Sequence, residues 1–401
     1  MGHQAGSVIT AVPDESPRAL AVRRLTVTDF RCYDQARIET DRRPVVLTGP
    51  NGAGKTNLLE AVSFLAPGRG LRRATLAEVL RRQAARDAVW GVAAQLDTPR
   101  GAVTVGTGCD PAAPAGTARR LVRIDGRPAA GQAALGDHVA VVWLTPQMDR
   151  LFVEGAGNRR RFFDRLVFGF HPGHAGHLTA YEQAMRDRAR LLKDDRRDAG
   201  WLAALEETMA ANGIAVAAAR REVLARLQAA GGVARFDGGR GDTPFPRADL
   251  ALTGTLEAWL DASPALAAED TYRARLADNR GIDAAAGGAA DGPNRTDLTV
   301  RHAASDMPAG QCSTGEQKAL LIGIVLAHAR LLAVERAAPP LLLLDEVAAH
   351  LDRRRRAALF EEILASGAQA WLTGTDRELF AALDRRAHFF GVQDAHISEQ
   401  D

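Results

Sequence analysis

Apolar positions along the first third of the chain follow strand spacing. Val22, Leu25, Val27 and Phe30 read as one strand, and Ala36–Ile38 and Pro44–Thr48 as two more. A glycine-rich turn follows, and then apolar positions at helical spacing over Thr56–Leu65. Trp90–Leu96, Ala102–Gly106 and Leu121–Ile124 predict further strands, with a loop at Pro111–Gly116. Val139–Leu144 is a continuous apolar run, the pattern of a strand covered on both faces. After Pro146 the spacing turns helical, in Asn158–Phe168, Leu178–Leu192 and the long stretch Trp201–Ala229. Glycine and proline break the pattern over Gly231–Pro246, and Ala284–Pro293 is a second loose stretch. An α/β order then returns: strand Asp297–Arg301, helix Glu316–Val334, strand Leu341–Leu344, helix Arg353–Leu364 and strand Ala370–Thr373. The pattern predicts an α/β lobe begun by residues 21–150, interrupted by a mainly helical insertion over 151–280 and completed by 281–401, behind a flexible tail at 1–20.

Composition narrows the class. The chain has 401 residues, 46% hydrophobic and 25% charged, enough to bury a sizeable core in more than one unit. Its 51 basic and 49 acidic residues leave a net charge of only +2, so any nucleic-acid binding must come from local patches or from a groove made by assembly. Cys32, Cys109 and Cys312 are far apart and show no metal spacing, which points away from a disulfide framework and toward a reducing cytoplasm. The most apolar stretches, such as Leu341–Leu344, read as too short to cross a bilayer, and Met1–Pro17 lacks the pattern of a signal peptide.

Three motifs carry chemistry. Gly49-Pro50-Asn51-Gly52-Ala53-Gly54-Lys55-Thr56 fits the phosphate-loop pattern and lies between a strand and a helix, with Asn57 next in line. Glycines let backbone N–H groups wrap phosphates, and the helix N-terminus adds its positive end. Lys55 is placed to reach the β- and γ-phosphates and Thr56 to ligate Mg2+. Far downstream, Leu341–Leu344 runs into Asp345-Glu346: Asp345 as a Mg2+ ligand, Glu346 as general base for the attacking water. The third motif, Ser313-Thr314-Gly315-Glu316-Gln317-Lys318, precedes a helix. It reads equally as a capping box, with Ser313 as N-cap and Glu316 three residues on.

These motifs resemble those of ABC ATPases in the form of the SMC and RecF branch. The resemblance implies that Ser313 and Gly315 meet the γ-phosphate bound by a second copy. Ala349-His350-Leu351-Asp352 resembles the D-loop, which lies along the dimer seam, and Thr375 stands where many relatives have a switch histidine. Gln147 is the candidate Q-loop residue, sensing Mg2+ or the γ-phosphate. Asp29-Phe30-Arg31-Cys32-Tyr33, Gly49–Ala61, Gly68-Arg69-Gly70-Leu71-Arg72, Arg159-Arg160-Arg161-Phe162-Phe163-Asp164 and Gly292–Leu298 resemble RecF-family landmarks, in family order from Val22 to Asp376. Departures occur at Gln147, at Gly155-Ala156-Gly157 and at Asn294 and Thr296.

The resemblance implies an ABC-type P-loop ATPase head with an inserted helical arm, like a short SMC head. It further implies a weak ATPase that uses ATP and Mg2+ and dimerises on DNA at gaps or single-strand/double-strand junctions. Such a protein helps load RecA, with RecO- and RecR-type mediators, in recombinational repair linked to the SOS response, and works in the cytoplasm on the nucleoid without a membrane partner. The alternatives are a transporter's ATPase subunit, against which the long insertion between Thr56 and Ser313 speaks, and a related ABC ATPase of a defence system.

Arg159, Arg160, Arg161 and Arg353 are the candidate DNA contacts, with a solvated face as the plainer reading. His171, His174 and His177 sit in a stretch broken by Pro172, Gly173 and Gly176, and read as a flexible loop rather than a metal site.

Overall fold

A computed structural model describes residues 19–85, 87–110, 119–194, 198–233 and 244–400. Nearly all of the expected tail, the loop Pro111–Gly116 and part of the Gly231–Pro246 break lie outside them.

Chain order begins with β1 (Ala21–Phe30), β2 (Tyr33–Glu39), β3 (Val45–Thr48), α1 (Lys55–Ser63) and the short α2 (Leu76–Val79). β4 (Gly91–Thr98), β5 (Gly101–Cys109), β6 (Arg120–Ile124), β7 (Arg127–Pro128) and β8 (Val141–Leu144) follow. The helical stretch holds α3 (Ala156–Phe170), α4 (His174–Lys193) and α5 (Ala199–Val233), then β9 (Ala248–Thr253), α6 (Thr255–Ala262), α7 (Ala265–Asp278) and α8 (Arg280–Ala286). The last part holds β10 (Asp297–His302), β11 (Met307–Pro308), α9 (Thr314–Arg336), β12 (Leu341–Leu344), α10 (Arg353–Ser366), β13 (Ala370–Gly374), β14 (His388–Gln393) and β15 (His396–Gln400).

The central sheet has the order β15-β14-β3-β13-β12-β8. Its inner strands are parallel, and only β15 runs against its neighbour. Both faces are covered, so β3 and β12 are buried at every residue, as their unbroken apolar runs require. Alternate side chains serve opposite cores: Val45, Leu47, Leu341 and Leu343 join one cluster, and Val46, Leu342 and Leu344 the other. In the first cluster α1 lies against the antiparallel sheet β2-β1-β4-β5-β6-β7. The second is capped by α3, α9 and α10 and by the C-terminal half of α5, through Val223 and Leu227. A third apolar cluster belongs to the helical stretch and runs from Tyr181 to Ala289. A small sheet, β11-β10-β9, joins that stretch to the last part of the chain.

Two readings need correction. α9 has the length and composition of a membrane span, but two-thirds of its most apolar window is buried inside the protein. Its low charge is that of a core helix, with most of its apolar side chains inside the protein. The histidine stretch is not a loop: α4 starts at His174, whose side chain is buried against Asp164 at 2.9 Å. Among the described residues no group of three or more His, Cys, Asp or Glu side chains could hold a metal ion.

Candidate functional site

Parallel pairing brings the C-terminal ends of β3, β13, β12 and β8 to one edge: Thr48 pairs with Gly374, and Leu344 with both Leu372 and Leu144. Open α/β sheets bind ligands at this edge. Each of the four strands delivers a motif there. Gly49–Lys55 follows β3, Asp345-Glu346 follows β12, Thr375 follows β13 and Gln147 follows β8.

The phosphate loop owes its path to glycine. Gly49 has φ 146°, and a Cβ there would lie 2.0 Å from the Val392 carbonyl oxygen. Gly54 has φ 116°, and a Cβ would sit 2.5 Å from the Tyr33 hydroxyl and 2.9 Å from the Cys32 sulfur. No larger residue fits either place. Ala53 donates its N–H to Pro50 O at 3.3 Å, and Asn57 donates to Gly54 O at 2.9 Å, closing the turn into α1. The Asn57 amide also reaches the Cys32 sulfur at 3.0 Å.

Lys55 is buried and donates its ammonium to the carbonyls of Gly49 at 2.7 Å and Pro50 at 2.9 Å. Burial holds its pKa below the ordinary value, against the opposing pull of Glu346 and then Asp345. Two residues read as partners from opposite ends of the chain meet directly. The Thr56 hydroxyl donates to Asp345 Oδ1 at 2.9 Å, across 289 residues of sequence. Thr373 completes the group: its hydroxyl donates to Asp345 Oδ1 at 2.8 Å and accepts the Glu346 N–H at 2.9 Å. Sequence reasoning gave Thr373 no role; its place in β13, between β3 and β12, is what makes it the link. Glu346 takes the left-handed backbone conformation, φ 53°, which turns it out of the strand.

Ser313 and Gly315 are exposed at the start of α9. Both readings of this motif meet in one geometry. The Ser313 hydroxyl and N–H donate to Glu316 Oε2 at 2.7 and 2.8 Å, and Glu316 N–H returns a bond to Ser313 at 3.3 Å, a complete capping box. These bonds are local, so the chain's own phosphate loop is not their partner. Asp352 caps α10 through Arg355 N–H at 2.9 Å, which lowers its carboxyl pKa. Arg355 in turn donates to Gly315 O at 3.0 Å, tying the D-loop position to the signature turn. Lys318, buried within α9, reaches Asp149 Oδ2 at 3.1 Å, which ties α9 to the turn that carries Gln147.

Other candidates lie apart. Gln147 is exposed in the turn Pro146–Arg150 and lines a neighbouring cleft. The Thr375 hydroxyl donates to Asp376 at 2.8 Å. Arg159 grips Asp297 with two bonds of 2.8 Å, and Arg160 donates to Thr296 O at 2.7 Å. Both guanidiniums therefore join α3 to the entry of β10, while Arg161 and Arg353 are exposed. The departures from the family pattern at Asn294 and Thr296 sit in this same joint: Asn294 accepts from Tyr181 at 2.7 Å and Thr296 donates to the buried Glu257 at 2.8 Å.

A family model described as an AAA domain matches residues 24–75, the stretch that holds the phosphate loop. A solved structure of the recombination mediator protein RecF with ATPrS has the same fold, with a TM-score of 0.80 at 18% identity, covering 96% of this chain and 100% of that one. A Smc head domain from Pyrococcus furiosus, bound to the C-terminal domain of ScpA, aligns with a TM-score of 0.51 at 15% identity, covering 95% and 96%. Fold and site together define a P-loop ATPase of the ABC/SMC-head class. The protein of Rhizobium rhizogenes (strain K84) named DNA replication and repair protein RecF is 51% identical over 383 residues, covering 96% of this chain and 100% of its own. Its namesake in Rhizobium meliloti (strain 1021) is 48% identical over 382 residues, covering 95% and 100%. The chain belongs to the RecF family of DNA replication and repair proteins.

Proposed function

We propose that this chain is a slow, ATP-driven DNA clamp of recombinational repair. It binds ATP with Mg2+, dimerises head to head on gapped or junction DNA, and helps a recombinase load there. The observation that carries this reading is the pairing of Thr56 with Asp345 beside Lys55, while the capped start of α9 stays exposed, with the Ser313 hydroxyl bonded to Glu316 of its own motif and Gly315 O held by Arg355.

The donor set suits a hard cation: one hydroxyl from Thr56 and one carboxylate from Asp345 are oxygen ligands of the kind Mg2+ takes. When bound, the ion supplies charge neutralisation at the β- and γ-phosphates. Lys55 exchanges the carbonyls of Gly49 and Pro50 for phosphate oxygens. Gly49, Pro50, Asn51, Gly52, Ala53, Gly54 and Asn57 offer backbone and cap contacts to the triphosphate. Glu346, turned out of the strand and held by Thr373, takes the proton of the attacking water. Gln147 and Thr375 sense the γ-phosphate from neighbouring strand ends. Ser313, Gly315 and Asp352 act in trans, closing the site of a second copy. Nucleotide binding then favours the dimer and hydrolysis releases it.

In this reading residues 21–150 and 281–401 build the head, and 151–280 the arm. Mediators of the RecO and RecR kind, RecA, and action on the nucleoid in the cytoplasm come with the proposal through the family. Transport and defence are not favoured: the relatives are named for DNA replication and repair.

Light scattering of the full chain tests the reading, with and without Mg-ATP and a gapped duplex. The expected result is a monomer alone, a dimer with ATP, and a tighter dimer with DNA that weakens as salt rises. A monomer under all these conditions overturns it.

A further inference from the structure

Beside the nucleotide half-site lies a cleft of about 700 Å3 whose charge the reading above does not use. One wall is the loop after α1, with Arg69 and Arg73; the other is α3, with Arg161 and Arg165. Among the described residues none of these four forms an ion pair. Arg161 donates to the Asn158 side chain, and Arg165 donates to the Met148 sulfur at 3.4 Å. The carboxylates nearby are already committed. Asp164 gives its oxygens to Arg220 at 2.7 and 2.9 Å and to His174 at 2.9 Å, Glu154 accepts from Asn158, and Glu182 faces Arg186 at 3.7 Å.

The cluster is held in place against its own repulsion. Burial first, then Arg161 and Arg69, push the Arg73 guanidinium below its ordinary pKa. Burial and then Arg73 do the same to Arg165. Arg73 also takes a left-handed backbone, φ 56°, uncommon for a side chain of its size. Arg165 is fixed over the Trp143 ring, 4.6 Å from its centre. The arginine loop is clamped from beneath by Arg120, which donates to Gly68 O at 2.6 Å and Ala66 O at 3.3 Å as well as to Phe64 O. Arg72 ties the same loop to α1 through Asn57 at 2.7 Å and Glu60 at 3.2 Å. Glu182 and then Asp164 offset part of the repulsion at Arg73, but neither pairs with it directly. Like charges left without a direct partner are relieved by an anion, and the guanidinium fork matches phosphate oxygens two at a time.

The anion is a chain of phosphates rather than a single one. A second concavity shares Arg72 and Arg73 with the cleft and adds the exposed Arg82; its Arg31 and Arg81 are paired with Glu60 and with Asp29 and Asp34, so the track runs on from Arg73 to Arg82. We propose that this track binds the phosphodiester backbone of a DNA strand, with Arg69, Arg73, Arg161 and Arg165 as phosphate contacts. The proposal rests on the DNA-binding reading above and gives it a surface. That surface excludes Arg159 and Arg160, whose guanidiniums are spent on Asp297 and Thr296.

Fluorescence anisotropy of the full chain with a labelled gapped duplex and Mg-ATP tests it, over roughly 50 to 200 mM salt. Arg73→Gln/Arg161→Gln is expected to weaken DNA binding at least about ten-fold at the low end and to lower the salt slope by about 2, near 0.9 per lost phosphate. Affinity for a fluorescent ATP analogue stays unchanged. Arg69→Gln, on an exposed side chain, gives about half that slope change and guards against a misfolded double variant. Unchanged DNA affinity and slope in both variants, with wild-type protein binding normally, overturn the track and leave the DNA-clamp reading standing. A wild-type chain without DNA affinity overturns both. If tripolyphosphate binds wild type as tightly as the duplex does, and the double variant loses it, the cleft is a site for small phosphate compounds and the strand assignment fails.

Discussion

Thr373 shows how much of the chemistry rests on one hydroxyl. It donates to Asp345 and accepts from the Glu346 backbone, so one hydroxyl holds both the carboxylate proposed to bind Mg2+ and the backbone of the residue proposed as general base. Thr373→Val keeps the shape and removes both bonds. The expected cost is about 1–3 kcal/mol of stability, because two buried polar groups lose a partner. Turnover is expected to fall about ten-fold or more with little change in ATP affinity, since Lys55 and the loop amides are untouched; a kcat and KM determination checks the split. His328 offers a residue-scale test of a different kind. Buried in α9, its Nε2 faces Leu166 O at 2.8 Å, and burial pushes its pKa down to about 4. The unfolded chain, with an ordinary value near 6.5, binds this proton first. The resulting stability is therefore complete above about pH 6.5 and drains away as pH falls toward 4, on the order of 3 kcal/mol in all. Urea midpoints across that range are expected to fall for wild type. The slope for His328→Leu is shallower, whatever its loss at neutral pH. Neither role was readable from sequence, because each depends on which strand or helix lies alongside. That Lys55, Thr56, Asp345 and Glu346 belong together was readable, because a phosphate loop and a buried strand ending in two acids are each marked by consecutive residues, and the structure places them side by side.

At the scale of elements, α9 begins with a motif that caps the helix and is proposed to do a second job in trans. The capping box satisfies the helix end, and in the proposed dimer the same exposed serine would meet a second molecule. The jobs separate by substitution. Ser313→Ala is expected to cost roughly 1 kcal/mol through the lost cap. Ser313→Arg is expected to bind ATP normally yet stay monomeric by gel filtration with Mg-ATP, since the added bulk fills the seam. Equal dimerisation by both variants removes Ser313 from the interface. Strands and helices of the head were legible because fully buried β3 and β12 need unbroken apolar runs. The C-terminal hairpin was not. Its two-residue turn is Asp394-Ala395, with φ 48° and 60°, and it lacks the glycine that usually marks such a turn. α6, α7 and α8 were hidden by alanine, which suits helix at every position and so marks no face. Only the end of α8, Ala284–Ala286, falls in the stretch read as loose, where Gly287 looks like a break; that glycine, at φ 69°, is the helix's C-cap. His174 was misplaced for a similar reason: Gly173 looks like a break but sits just ahead of α4.

For the whole molecule, the decisive question is whether one chain holds a complete site. Its nucleotide-facing half is assembled from both ends of the chain on the sheet edge, whereas the Ser313 cap is bonded only to its own helix. A two-fold dimer makes the two halves complementary, and each interface residue then meets its counterpart's site twice. Two inactive variants should therefore rescue each other. Lys55→Ala keeps its α9 start but cannot hold ATP; Ser313→Arg holds ATP but cannot complete a partner's site. In a mixed dimer, the ATP on the Ser313→Arg chain meets an intact Ser313, while the introduced arginine faces the phosphate loop left empty by Lys55→Ala. One working site results. Neither variant pairs with itself, so every dimer is mixed and holds one working site of two, and the expected specific rate at concentrations that favour the dimer is about half of wild type. The rate should vanish on dilution as the dimer dissociates, with second-order dependence on protein concentration in that range. Mixtures that stay at the sum of the two separate rates, or a wild-type specific rate that holds constant at any dilution, mean that each molecule hydrolyses alone and that the exposed serine is a helix cap and nothing more.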